Sequence, residues 1–366
     1  MTVDASTPIS SQRGRILVIR GGAVGDFIVT LPVLAALRNQ FPQTRLEVLA
    51  YPQVATLAVR AGLADAAHAI ESRPLAGFFA RNGVLDPIES ERFARCDVIF
   101  SYLYDPDELF RGNLARVTSA QVIQGPHRPV ESTGVPAAVQ LLAPLERLAI
   151  FEADPVPRLR WAGMGPSAEG WIALHPGSGS ASKNWPLERW KELVSHCVAQ
   201  TDLSWVLIGG ESESEALDCL ERLIPARRRQ VLRGRPLESV AEQLSRCQGF
   251  LGHDSGITHL AAAVGIPCLA LWGGSNESVW RPGGPAVQTV SHPGGLADLG
   301  LEAVWNSFTA QFYPTVTLLG RDPQEGGRLG ISSRAVALSS RVSLMWRPLR
   351  GVAAVSLPAS SLNALW

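Results

Sequence analysis

Lysine and arginine together number 33, yet lysine occurs only at Lys183 and Lys191. Lys191 falls within a helical pattern, where a solvated role suffices. Lys183 stands in HPGSGSASKNWP, residues 175–186, between an apolar run and an amphipathic one. An ammonium is a compact point charge where a guanidinium is a planar fork, so this loop reads as one that holds an anion. Gly177 and Gly179 permit close backbone approach, Ser178 and Ser180 supply hydroxyls, and Pro186 suits a first helical turn. The Walker pattern GxxxxGK[ST] is absent. An ordinary strand-to-helix connection is the competing reading.

Three further stretches carry chemistry. RGGAVGDFIVTLP, residues 20–32, places Gly21, Gly22 and Gly25 ahead of a helix whose free N–H groups suit an anion. The spacing is GGxxGD rather than GxGxxG, and Tyr51-Pro52 stand where a dinucleotide fold needs a ribose-binding carboxylate, which disfavours NAD. Asp26 opens that helix, as a cap, as a proton acceptor, or as both. GHDSGITHLAAAVGIPCLALWGGS, residues 252–275, sets Asp254 and His259 across a helix start, with Ser255 and Gly256 offering N–H groups. His259 reads equally as a buried structural histidine, and one Asp with one His makes no metal ligand set. In GGESESE, residues 209–215, Glu211 stands where a carboxylate could hold ribose hydroxyls, or where an acidic helix start is merely solvated.

These residues need elements to position them. RILVIR, RLEVLA, AAHAI, DVIFSY and AQVIQG read as strands separated by helical patterns, the arrangement of a parallel sheet covered on both faces. Residues 126–170 are proline-rich, hold one expected helix in VPAAVQLLAPLERLAI, and read as a connector. The alternation then restarts with WIALHPG, WVLIGG, RQVLRG, GFLGH and PCLALWG as strands and a closing helix over 300–313. The expected organisation is α/β, with Rossmann-like doubly wound domains over 14–150 and 151–313, an atypical tail over 314–366, and a cleft between the strands' carboxyl ends.

At 366 residues, 46% hydrophobic and 18% charged, the chain has the composition of a two-domain globular protein. Thirty-three acids balance the bases, which argues against a nucleic-acid partner. Five scattered cysteines without CxxC indicate neither a disulfide framework nor a zinc site, and fit a reducing cytoplasm. The polar N-terminus lacks an apolar signal core, and no run reaches the ~18 apolar residues of a membrane span. The tail reads as poorly ordered; its six arginines against two acids allow at most loose contact with an anionic membrane.

Taken in order, the GD turn, HPGSGSASKNWP, LIGGESE and DSGITHLAAAVGIPCLALWG resemble the family nine glycosyltransferases, which include the bacterial lipopolysaccharide heptosyltransferases. The resemblance covers roughly 14–311 and is densest over 171–284. It implies a GT-B fold, with the nucleotide-sugar donor in the C-terminal domain and a glycolipid or oligosaccharide acceptor in the N-terminal one. It also implies inverting transfer without a metal or other cofactor, most simply of heptose from ADP-heptose, at the cytoplasmic face of the inner membrane. Asp26 matches the family's proposed base and Lys183 the lysine at the donor diphosphate. Glu211 matches the ribose-binding acid, and Asp254, Ser255, Gly256 and His259 the loop and helix start around diphosphate and sugar. Arg235 and Leu237 fall near the segment lining the base. A GT-B nucleotide-sugar epimerase and a non-catalytic nucleotide-sugar binder are the alternatives.

Overall fold

The computed structural model describes residues 14–165, 170–180, 183–284 and 286–313; the tail expected over 314–366 lies outside them. The first sheet is parallel, in the order β3-β2-β1-β4-β5. Its strands are β1 (Arg15–Arg20), β2 (Arg45–Ala50), β3 (Ala66–Ala69), β4 (Val98–Ser101) and β5 (Gln121–Gln124). The second is parallel in the order β11-β10-β9-β6-β7-β8. It comprises β6 (Trp171–His175), β7 (Ser204–Gly209), β8 (Arg229–Arg233), β9 (Gly249–His253), β10 (Cys268–Trp272) and β11 (Val287–Ser291).

The central strands β1, β6, β9 and β10 are largely apolar because helices cover both faces. On β1, Ile16 and Val18 enter one core while Leu17 and Ile19 enter another; the period of two sorts them. The first core is shared between the sheets. It runs through α1 (Val24–Ile28), α2 (Leu31–Gln40) and α3 (Pro52–Arg60) to α9 (Leu237–Ser245) and α10 (Gly256–Val264). The outer face of the first sheet packs against a 3-10 segment (Arg73–Phe79), α4 (Pro87–Ala94) and α5 (Leu109–Leu114). That of the second packs against α7 (Leu187–Gln200), α8 (Ser214–Leu223) and α12 (Leu301–Phe312).

Two expectations need correction. VPAAVQLLAPLERLAI is not one helix: α6 (Ala137–Leu142) gives way to a 3-10 turn (Ala143–Leu148) at Pro144, which cannot donate to the ladder. The segment runs from the last strand of the first sheet to the first of the second, with Leu141 and Leu145 buried in the first core. The helix after the lysine loop starts at Leu187, so Pro186 is its N-cap rather than part of its first turn, and Trp185 is buried in the second core.

In each sheet the strand order reverses at one place, between β1 and β4 and between β6 and β9. Side loops diverge there and open a crevice at the carboxyl ends. The loops after β1, β6 and β9 are the three glycine-rich stretches singled out above.

Candidate active site

A cleft of about 610 Å³ is lined by Asp26 and Gly25 from the first sheet's turn and by Ser178, Lys183, Asp254, Ser255, Gly256 and His259 from the second. His127, Arg128 and Glu131 close one side, and Gly274, Ser275 and Trp280 another.

Asp26 sits at the third position of α1, not at its N-cap, which is Ala23. Its Oδ2 accepts the Ala23 N–H at 2.9 Å, so part of its role is to close the helix start. Its Oδ1 lies 3.3 Å from Nη2 of Arg20. Gly22, at φ 102°, makes the turn possible, since a Cβ there would lie 2.7 Å from Asp26 Oδ2. A carboxylate has about four lone-pair sites; these contacts leave some open, and the side chain is 29% exposed.

Arg20 is almost fully buried. Its Nε donates to the Asp26 carbonyl at 3.3 Å and its Nη1 to the His127 carbonyl at 2.7 Å. Burial lowers its pKa, and the Asp26 charge opposes that shift. One fork thus fixes the Asp26 turn against the loop after β5.

The lysine loop is pinned by a residue that motif reading missed. His253, the last residue of β9, accepts the Trp185 N–H on Nε2 at 2.8 Å. Its Nδ1 therefore carries the proton and donates to the Gly177 carbonyl at 3.3 Å. Burial pushes its pKa down to about 3, so the ring is neutral. Trp185 completes the anchor by donating from Nε1 to the Leu299 carbonyl at 2.9 Å and packing edge-on against Trp190. Within the loop, Ser178 Oγ donates to the Ser180 carbonyl at 2.9 Å and lies 2.7 Å from Asn184 Oδ1.

Lys183 Nζ lies 2.7 Å from Oδ2 of Asp254, which also accepts from the Ser275 hydroxyl. The ion pair holds the ammonium at the cleft wall with further donors to spare. Ser255 caps α10, accepting from Thr258 N–H at 3.3 Å. Thr258 in turn donates to the His253 carbonyl. His259 is neutral: burial takes its pKa down to about 4, against the opposing charges of Asp254 and Asp26. Its Nδ1 is buried without a protein partner.

The structure brings Gly25, Asp26, Ser178, Lys183, Asp254, Ser255, Gly256 and His259 to one cleft. Gly22, Gly177, Gly179 and Ser180 shape the adjoining turns. Glu211, Arg235 and Leu237 do not line the cleft. They follow β7 and β8 at the same carboxyl edge, with Glu211 and Arg235 exposed and Leu237 half-buried. Glu213 is the half-buried carboxylate of that turn, accepting from Gly210 N–H at 2.8 Å and pressed against the lysine loop where Gly177 leaves room. Among the described residues, no group of three or more His, Cys, Asp or Glu side chains is placed to hold a metal ion.

Two doubly wound sheets facing a cleft, with the glycine-rich turns of both at its wall, make the GT-B architecture of glycosyltransferases. Residues 147–299 match the profile described as glycosyltransferase family 9 (heptosyltransferase), and the chain resembles that family as its motifs indicated. A putative glycosyltransferase of Haemophilus influenzae is 25% identical over 298 residues, 73% of this chain and 86% of its own. A Veillonella parvula family 9 glycosyl transferase superposes with TM-score 0.66 at 17% identity, over 82% of this chain and 98% of its own. The Escherichia coli heptosyltransferase WaaC, solved with ADP, gives 0.63 at 17% identity, over 81% and 99%. These likenesses support a glycosyltransferase and show the GT-B fold.

Proposed function

We propose that the protein transfers a sugar, with inversion and without a metal, from a nucleoside-diphosphate donor to a glycan or glycolipid acceptor. ADP-heptose is the donor, on the precedent of the family 9 profile and of the neighbour solved with ADP. The acceptor is a lipopolysaccharide-core or related surface glycan met at the cytoplasmic face of a membrane. The observation that carries the reading is that Asp26, from one sheet, and the Lys183–Asp254 pair, from the other, line the same cleft.

The chemistry follows from that placement. The donor diphosphate lies at Lys183, Ser178 and the start of α10. Asp26 takes the proton of the acceptor hydroxyl, whose oxygen attacks the anomeric carbon from the face opposite the diphosphate. The bond from that carbon to the phosphate oxygen breaks, and the charge left on the diphosphate is met by the Lys183 ammonium and the N–H groups at Ser255 and Gly256. His259 lines the same wall of the cleft. Glu211, Arg235 and Leu237 lie outside the cleft lining at the same carboxyl edge, and their roles at the ribose and base rest on the family resemblance alone.

The test is ADP release from ADP-heptose with an acceptor panel of core oligosaccharides. Wild type should release ADP and form an inverted glycoside with magnesium chelated. Asp26→Asn should lose about 10²–10⁴ in kcat, and Lys183→Ala about 10²–10³, with both folded by circular dichroism. Full turnover in both variants would contradict the residue roles, and conversion of the donor sugar with no acceptor present would replace transfer by epimerisation.

A further inference from the structure

Beside the cleft, and sharing His127 with it, a second cavity of about 260 Å³ opens in the N-terminal half. It lies past the carboxyl ends of β4 and β5, in the turns that follow them. Tyr104 stands at its wall 71% exposed, yet the ring is held against the His127 imidazole, with centroids 4.6 Å apart and planes tilted by 53°. A tyrosine left so far in water offers a flat apolar face with a polar tip. Glu108, on the rim, takes φ 52° without being glycine. Such strain costs on the order of 1 kcal/mol and persists where the surroundings over-determine it, often at ligand clamps.

The polar groups of this cavity are largely committed. Asp105 accepts the N–H groups of Phe110 at 3.1 Å and Arg111 at 2.9 Å. The Arg111 guanidinium is paired with Glu108 at 3.2 Å. Gln124 donates from Nε2 to the carbonyls of Leu103 and Gly125, both at 3.1 Å, and its own side-chain carbonyl is left as an acceptor. With two carboxylates against one paired guanidinium, the lining does not favour a carboxylate or phosphate ligand. Its volume lies just under the ~300–1,000 Å³ of pockets that enclose drug-sized molecules, which fits one sugar ring. Arg20 grips the carbonyl of His127 and the carboxylate of Asp26 together, so the partition between cavity and cleft is registered to the proposed base.

We propose that this cavity is a subsite for one neutral pyranose ring of the acceptor, stacked on Tyr104 with a ring hydroxyl donating to the Gln124 carbonyl. The acceptor then runs past His127 into the cleft, where its reactive hydroxyl meets Asp26. The assignment rests on the transferase reading above.

Saturation-transfer NMR with the methyl glycosides of glucose, galactose and mannose tests it, with methyl glucuronide as the anionic control. Wild type, Tyr104→Ala and Tyr104→Phe are compared, and the ADP-induced thermal shift is measured on the same samples. At least one neutral glycoside should take up saturation in its ring protons. The signal should fall about fivefold in Tyr104→Ala, which loses the stacking face, and survive in Tyr104→Phe, which keeps it. Absence of transfer to any neutral glycoside, equal transfer in Tyr104→Ala, or preference for the glucuronide would overturn the subsite. An intact ADP shift alongside such a failure leaves the transferase reading standing, whereas no ADP shift in wild type would bring down both.

Discussion

Asp26 answers to two demands at once: it closes the start of α1 through the Ala23 N–H and presents its remaining lone pairs to the cleft. Arg20 links those demands. Arg20→Lys keeps the charge but loses the planar fork, so it should lower kcat well beyond its effect on stability, which should be about 1–3 kcal/mol for hydrogen bonds made by a charged group. Steady-state kinetics beside urea titration would separate the two. The buried histidines give a pH prediction. Burial pushes His253 down to about 3 and His175 and His259 to about 4, against an ordinary 6.5. The unfolded chain therefore binds protons that the folded one refuses. Stability should be fully present above pH 6.5 and fall as the pH drops toward 4, each such histidine adding about 1.4 kcal/mol per pH unit to the slope. Urea midpoints across that range check it, and His253→Gln should flatten the slope while weakening the loop anchor. At this scale Lys183 was legible because lysine is so rare in the chain. His253 was not, because its function depends on a backbone N–H and a carbonyl in a loop that only the sheet brings near.

At the scale of elements, the contact of α1 with α10 sets the distance between the two halves. A Cβ on Gly256 would lie 2.7 Å from Val24 Cβ and 3.0 Å from the Gly25 nitrogen, both within the turn that carries Asp26. Gly256→Ala should therefore push the helices apart, costing about 1–3 kcal/mol by overpacking, and should depress transfer more than a surface change of equal stability cost. Thermal midpoints with initial rates would show it. Strand and helix alternation was readable because parallel strands buried on both faces are continuous apolar runs, as in RILVIR and GFLGH. β11 was not, since VQTVS is a half-exposed edge strand with polar Gln288 and Thr289 in its middle. α4 and α5 escaped for a related reason: at 8 and 6 residues they are too short to display a helical period.

Across the whole described body, Arg60 bridges from α3 to Glu242 on α9 at 2.7 Å, Trp161 Nε1 donates to the same carboxylate at 3.1 Å, and Asn276 donates to the Glu131 carbonyl at 2.9 Å. The Arg60 pair is half exposed, so Glu242→Ala should cost little stability, about 1 kcal/mol or less, as a melting curve would register. No helix among the described residues is long and apolar enough to cross a membrane. The central claim is that the lysine loop and the start of α10 hold a nucleoside diphosphate. Thermal shift with ADP, UDP, GDP and NAD, with and without magnesium, on wild type and Lys183→Ala tests it most directly. Ligand at about 100 times its dissociation constant stabilises by about 2.7 kcal/mol, a shift of a few degrees. A magnesium-independent shift with ADP that disappears in Lys183→Ala is the predicted result; a shift with NAD alone, or an ADP shift undiminished in Lys183→Ala, would contradict it.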